Sequence, residues 1–143
     1  DSIGLISIYW ILALPFLSDI GGFVFGKIFK GKKLTKISPN KTYSGAYGSL
    51  LLAMTSLPLA IFLQNFFLGE VIIDFNQLSY LFIVLALSLV CQLGDLTVSF
   101  FKRKLKIKNT GNLLPGHGGI LDRIDGLIFV LITSSILKFF GLI

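Results

Sequence analysis

The chain has 143 residues, 54% of them hydrophobic and 14% charged, with a mean hydropathy of +0.85. A soluble domain carries roughly a quarter charged residues, so the composition excludes one and predicts a single all-α membrane domain over 1–143, a polytopic transmembrane helical bundle. The formal net charge of +6 is not a nucleic-acid footprint, because the basic residues cluster beside apolar runs, where they suit anionic lipid and nucleotide phosphates. The one cysteine, Cys91, excludes an intrachain disulfide and reads as packing.

The first apolar run, Ile3 to Leu17, is short against the roughly 20 residues of a full span. It either continues through Ile20 to Phe25 or has lost its start. It lacks a basic leader and a small-residue cleavage site, so it does not read as a signal peptide. With Asp1 where an initiator Met would stand, the chain is expected to be part of a longer one. Ser18 and Asp19 follow. A carboxylate at the end of a span is either functional or a cap for the next helical segment.

Gly21 to Tyr43 is predicted to be a polar loop, holding Lys27, Lys30, Lys32, Lys33, Lys36 and Lys41 and the turn-forming Ser38-Pro39-Asn40-Lys41-Thr42. Ala46 to Leu68 is a predicted span with Pro58 inside it, as membrane helices tolerate. Residues 69–76 form a short loop with Glu70 and Asp74 and no Lys or Arg. The next span runs from Leu78 to Leu93 and on to residue 98, with Gly94-Asp95 interrupting its end. Asp95 lies four residues before Ser99 and seven before Lys102, so the three share a face if the helix continues. An acid at that depth faces a polar cavity or a partner such as a neighbouring lysine. Ile124 to Leu142 is the last predicted span, with Lys138 snorkelling to the far interface.

The charge pattern sets an orientation. Segments 21–43 and 102–123 are basic and are expected in the cytoplasm, whereas 69–76 has no basic residue and is expected outside. Crossings at 46–68, 78–98 and 124–142 satisfy that alternation. There are then two basic cytoplasmic loops, and no internal repeats or soluble linkers.

The stretch Ser99 to Asp125 carries the most chemistry. Lys102, Arg103, Lys104, Lys106 and Lys108 are donors suited to phosphate. Gly116, Gly118 and Gly119 flank His117 and let a ligand approach main-chain N–H groups. Asp122 and Asp125 are three apart, on one face of a helix. Two carboxylates beside bound phosphates suit Mg²⁺, which completes its octahedron with substrate oxygens and water. The parts fit phosphoryl or nucleotidyl transfer, where positioning and charge neutralisation do most of the work. The plainer alternatives are a cytoplasmic anchor for the basic block, an N-cap for Asp122, a backbone-satisfied turn for His117, and a hydroxyl turned onto a helix carbonyl for Ser99.

This stretch resembles the signature of the phosphatidate cytidylyltransferase (CDP-diacylglycerol synthase) family. The matching positions are Ser99, Lys102-Arg103, Lys108, Pro115, His117-Gly118-Gly119 and Asp122-Arg123-Ile124-Asp125. Asn109 stands where that family usually has Asp. A looser match precedes it in Ser18-Asp19-Ile20-Gly21, Gly26-Lys27, Lys33-Leu34 and Ser38-Pro39-Asn40-Lys41-Thr42, with Ser44 in place of the usual Glu. Gly94-Asp95 also fits.

The resemblance implies transfer of the cytidylyl group of CTP to phosphatidic acid, giving CDP-diacylglycerol and pyrophosphate. It implies Mg²⁺ on Asp95 and Asp122, with Asp125 as a further or supporting ligand and room for a second, monovalent cation. Lys102, Arg103, Lys108 and Arg123 would neutralise the leaving pyrophosphate. Ser18, Asp19, Lys27, Ser38, Lys41, Thr42, Ser99, His117, Gly118 and Gly119 would bind substrate. The implied setting is a bacterial inner membrane with the site facing the cytoplasm, membrane lipids around it, a homodimer as an option and no nucleic acid. Two other classes compete: a CTP-dependent lipid-alcohol kinase, and a non-catalytic lipid-binding membrane subunit.

Overall fold

The computed structural model describes residues 2–35, 38, 41–69, 78–107 and 121–141. Lys108, Asn109, His117, Gly118 and Gly119, together with the side chains of Asp122 and Arg123, lie outside the described residues. The described chain forms α1 (Ser2–Phe29), α2 (Tyr43–Met54), α3 (Ser56–Leu68), α4 (Leu78–Lys104) and α5 (Leu121–Phe139). Its only β pairing is an isolated bridge between Lys33 and Thr42. The all-α membrane class therefore holds: three stretches, Ser7–Phe29, Tyr43–Phe67 and Leu78–Lys104, are long and apolar enough to cross a bilayer.

Three sequence expectations change. The predicted loop at 21–43 begins only after Phe29, because Gly21, Gly22 and Gly26 sit inside α1. Glycine punctuates soluble chains, but in a membrane bundle small residues mark places where helices touch. The predicted span 46–68 is two helices parted at Thr55. Pro58 explains the break: it has no N–H for the Met54 carbonyl, and its ring clashes there. The chain turns instead through Thr55 N–H to Leu52 O at 3.0 Å, and Thr55 Oγ1 donates to the same carbonyl at 2.6 Å.

α5 is not among the three long apolar stretches. Asp122, Arg123, Asp125 and Lys138 fall within its 19 residues, and the predicted span 124–142 ends outside the described residues. Conversely, Gly94-Asp95 does not interrupt α4, which runs unbroken for 27 residues. Asp95, Ser99 and Lys102 therefore share a helix face.

The core joins all five helices. Trp10 and Leu14 of α1 meet Ala53, Ala60, Val84, Leu87, Cys91 and Val130. Among them run buried polar contacts: Trp10 Nε1 donates to Ser56 Oγ at 3.2 Å, and the hydroxyls of Ser18 and Ser88 share a hydrogen bond at 3.1 Å. Lipid offers such groups no alternative partner, so helices find one another through them. A double-mutant cycle with Ser18→Ala and Ser88→Ala in detergent unfolding is expected to give a coupling of about 0.6 kcal/mol, the typical size for interhelical hydrogen bonds in a membrane. Additive losses would show that the shared hydrogen bond contributes nothing net.

α1 and α2 make the closest approach. A Cβ on Gly21 would collide with the carbonyl oxygen of Gly48, and one on Gly45 would lie 2.7 Å from the carbonyl oxygen of Gly22. This contact fixes the two helix ends on which the site is built.

Candidate functional site

The site grows from the segment joining α1 to α2. Leu34 N–H donates to Lys41 O at 2.8 Å, Lys41 N–H to Ser38 O at 3.1 Å, and Tyr43 N–H to Lys32 O at 3.1 Å. These bonds bring Lys41 and Tyr43 back against Lys32 and Leu34 in a return. Thr42 ends it as the N-cap of α2: its Oγ1 accepts from Gly45 N–H at 3.1 Å and pairs with Ser44 Oγ at 3.0 Å. Ser44, in the place of the usual Glu, also accepts from Gly31 N–H at 3.3 Å, so its hydroxyl ties the start of the segment to α2.

Between this return and helices α1, α2 and α4 lies a cleft of about 260 Å³. Asp19, Ser38, Lys41, Thr42 and Asp95 line it, all residues singled out in the sequence, together with Ser49 and Gln92 on the polar side and Phe23 and Leu34 on the apolar side. Gln92 was missed. Its Nε2 donates to Ala46 O at 3.4 Å. The available signal was its place one helical turn before Asp95, a polar side chain in an otherwise apolar run.

At one end of the cleft stands a row of four charged side chains. Lys41 Nζ donates to Asp95 Oδ2 at 3.0 Å. The carboxyls of Asp95 and Asp125 are in hydrogen-bonding reach of each other. Lys102 Nζ lies 3.7 Å from Asp125 Oδ2, and the Gly126 N–H donates to Asp125 Oδ1 at 3.0 Å. Gly126 makes the meeting possible: a Cβ there would lie 2.5 Å from Asp95 Oδ1 and 2.7 Å from Cys91 Sγ. Opposite it, Gly94 lies under the Phe129 ring, so α4 and α5 close to a distance at which the two acids touch. Asp95 thus has both of its expected surroundings, a polar cleft and a lysine partner.

The other expected site residues fall elsewhere. Ser18 is buried against Ser88 and does not line the cleft. Lys27 is exposed, its ammonium 5.6 Å from the centre of the Phe23 ring at the cleft wall. Ser99 is half-buried one turn beyond Asp95, and Arg103 is exposed. Among the described residues no group of three or more His, Cys, Asp or Glu gathers to hold a metal. The neighbouring carboxyls of Asp95 and Asp125 are nonetheless of the kind that could hold Mg²⁺, a hard cation that takes one or two carboxylates and draws its remaining oxygens from phosphate and water.

Fold and site together define a polytopic helical membrane protein with a charged cleft where two of its helices bring carboxylates together. More narrowly, the chain belongs to the cytidylyltransferase family, whose model matches residues 1–140. It is similar to the phosphatidate cytidylyltransferase of Rickettsia bellii, at 42% identity over 136 residues, covering 91% of this chain and 57% of that protein. That of Rickettsia conorii is 39% identical over 137 residues, 92% of this chain and 59% of the relative. One from Staphylococcus aureus is 42% identical over 137 residues, 94% and 49%. The chain thus spans roughly half to three-fifths of the length of the curated relatives it matches.

Proposed function

We propose that the complete protein transfers the cytidylyl group of CTP to phosphatidic acid, giving CDP-diacylglycerol and pyrophosphate, at the cytoplasmic face of a bacterial inner membrane. The observation that carries the reading is the Lys41–Asp95–Asp125–Lys102 row at the end of a cleft lined by Asp19, Ser38 and Thr42. Relatives named for this reaction support it. The orientation is supported by charge: the row brings the basic segment after α1 and the basic end of α4 to one end of the bundle, as expected of a cytoplasmic face.

A phosphate oxygen of the lipid attacks the α-phosphorus of CTP. The new P–O bond forms as the bond from that phosphorus to the bridging oxygen breaks, and pyrophosphate leaves with the electron pair. The attacking oxygen is already anionic at neutral pH, so no residue needs to act as a base. Lys41 and Lys102 supply positive charge where phosphates gather. Thr42, held by the α2 cap, and Ser38 offer hydroxyls to phosphate or ribose. Asp95 and Asp125 would hold Mg²⁺, with Asp122 in the same proposal from the sequence pattern. When bound, the metal would offset charge on the phosphate oxygens.

The test uses the complete protein in detergent–phosphatidic acid micelles with Mg²⁺ and CTP labelled at either the α- or the γ-phosphorus. Lipid-soluble α-label and no γ-label are expected. Lipid-soluble γ-label with a lipid alcohol would establish the kinase instead. Neither label in lipid from folded protein would leave the non-catalytic reading.

A further inference from the structure

We infer that Lys41 is an internal counter-cation that competes with the divalent metal for Asp95, so that metal and nucleoside triphosphate bind cooperatively. The inference rests on the reading of Asp95 and Asp125 as the metal-holding pair.

The two lysines of the row are not equivalent. Lys41 makes a direct hydrogen bond to Asp95 at 3.0 Å, and both residues line the cleft. Lys102 stands farther from its acid, at 3.7 Å, and neither it nor Asp125 lines the cleft. A cation arriving through the cleft therefore meets an Asp95 oxygen already occupied by an ammonium.

Lys41 holds Oδ2 of Asp95, and a divalent ion brought onto the same carboxylate is repelled by that ammonium at close range. Metal binding therefore drives the Lys41 ammonium away. Its backbone cannot go with it, being held on both sides by Leu34 N–H to Lys41 O and Lys41 N–H to Ser38 O. The side chain is half-buried and swings alone.

Without nucleotide, the one other acid among the described residues of the cleft wall is Asp19, which has interactions of its own. With a triphosphate present, the displaced ammonium meets phosphate oxygens. The same motion that frees Asp95 for the metal thus delivers a cation to the substrate. By linkage, whatever the triphosphate contributes to metal affinity, the metal returns to triphosphate affinity.

The test measures binding, without lipid acceptor, on the complete protein in detergent micelles. Mn²⁺ replaces Mg²⁺ so that electron paramagnetic resonance reports the free ion. In the absence of nucleotide, Lys41→Met and Lys41→Gln are expected to tighten Mn²⁺ binding about fivefold, the order set by a partly exposed ion pair that the metal no longer has to break. Lys41→Arg keeps the competing charge and is expected to bind as the parent does. Asp95→Asn is expected to lose the site.

Equilibrium dialysis of labelled CTP with and without Mn²⁺ then reads the coupling. The gain on adding metal is expected to be larger in the parent than in Lys41→Met. If Asp95→Asn loses Mn²⁺ while Lys41→Met and Lys41→Gln bind it no tighter than the parent, the competition is overturned and the metal reading stands. Tightening by Lys41→Arg as large as by Lys41→Met, or an equal metal-dependent gain in parent and Lys41→Met, overturns it too. If Asp95→Asn binds Mn²⁺ unchanged, the metal reading fails and the competition fails with it.

Discussion

Replacing Asp95 by Asn in the complete protein is expected to lower transfer of α-label from CTP to lipid by about a hundredfold or more, the scale of losing one preorganised electrostatic group at a reacting phosphate. Asn keeps the shape of the side chain and an acceptor for Lys41, so folding should survive and the loss should be chemical. Asp125→Asn is expected to fall by a similar factor, since its carboxyl meets that of Asp95. Groups that act as one unit are strongly non-additive. The double variant should therefore be little worse than either single one. Multiplied losses would instead mean that the two acids work independently, and activity near the parent level in Asp95→Asn would remove the row from the mechanism. Tryptophan fluorescence gives a folding control, since Trp10 is buried and hydrogen-bonded to Ser56.

Gly48→Leu is expected to be strongly destabilising although it lies away from the charged row. At Gly48 even a Cβ would run into the Phe25 side chain and lie 2.8 Å from the Gly21 carbonyl oxygen. Backbone on one side and an aromatic ring stem on the other leave little that can yield. Overpacking of this kind costs roughly 1–3 kcal/mol and occasionally more. Here the forced separation of α1 from α2 would also open the cleft, whose walls both helices provide. The expected result is a lower midpoint of thermal unfolding in detergent together with weaker CTP binding. Leu51→Ala on the exposed face of α2 should leave both nearly unchanged, within the about 0.5 kcal/mol usual for surface substitutions. A Gly48→Leu protein that unfolds like the parent would show that the glycine contact is slack.

The two predictions separate what could be read from the chain alone from what could not. Asp95 was a candidate because a carboxylate in an apolar run is costly and therefore conspicuous. Its placement with Ser99 and Lys102 followed from helical periodicity. Lys41 was a candidate as a cation in a turn-forming stretch. That Lys41 and Asp95 bond to each other was not legible, because they are 54 positions apart and periodicity says nothing of which helix faces which. The glycines of α1 misled: the same residues that mark loops in water mark close contacts in a bundle. Pro58 was noticed, but its effect on the helix before it was not.

The sequence by itself determined the membrane class, the placement of two apolar stretches, the basic character of two segments and the acids and lysines worth watching. Those are properties of local composition and spacing, which hydrophobicity and helical repeat express directly. Only the tertiary structure decided that Asp125 meets Asp95 across Gly126, that Lys41 rather than Lys102 faces the cleft with Asp95, that Ser18 turns to Ser88, and that Gln92 joins the lining. Those depend on how closely helices approach, which is set by the absence of side chains at Gly21, Gly48 and Gly126 as much as by any residue present.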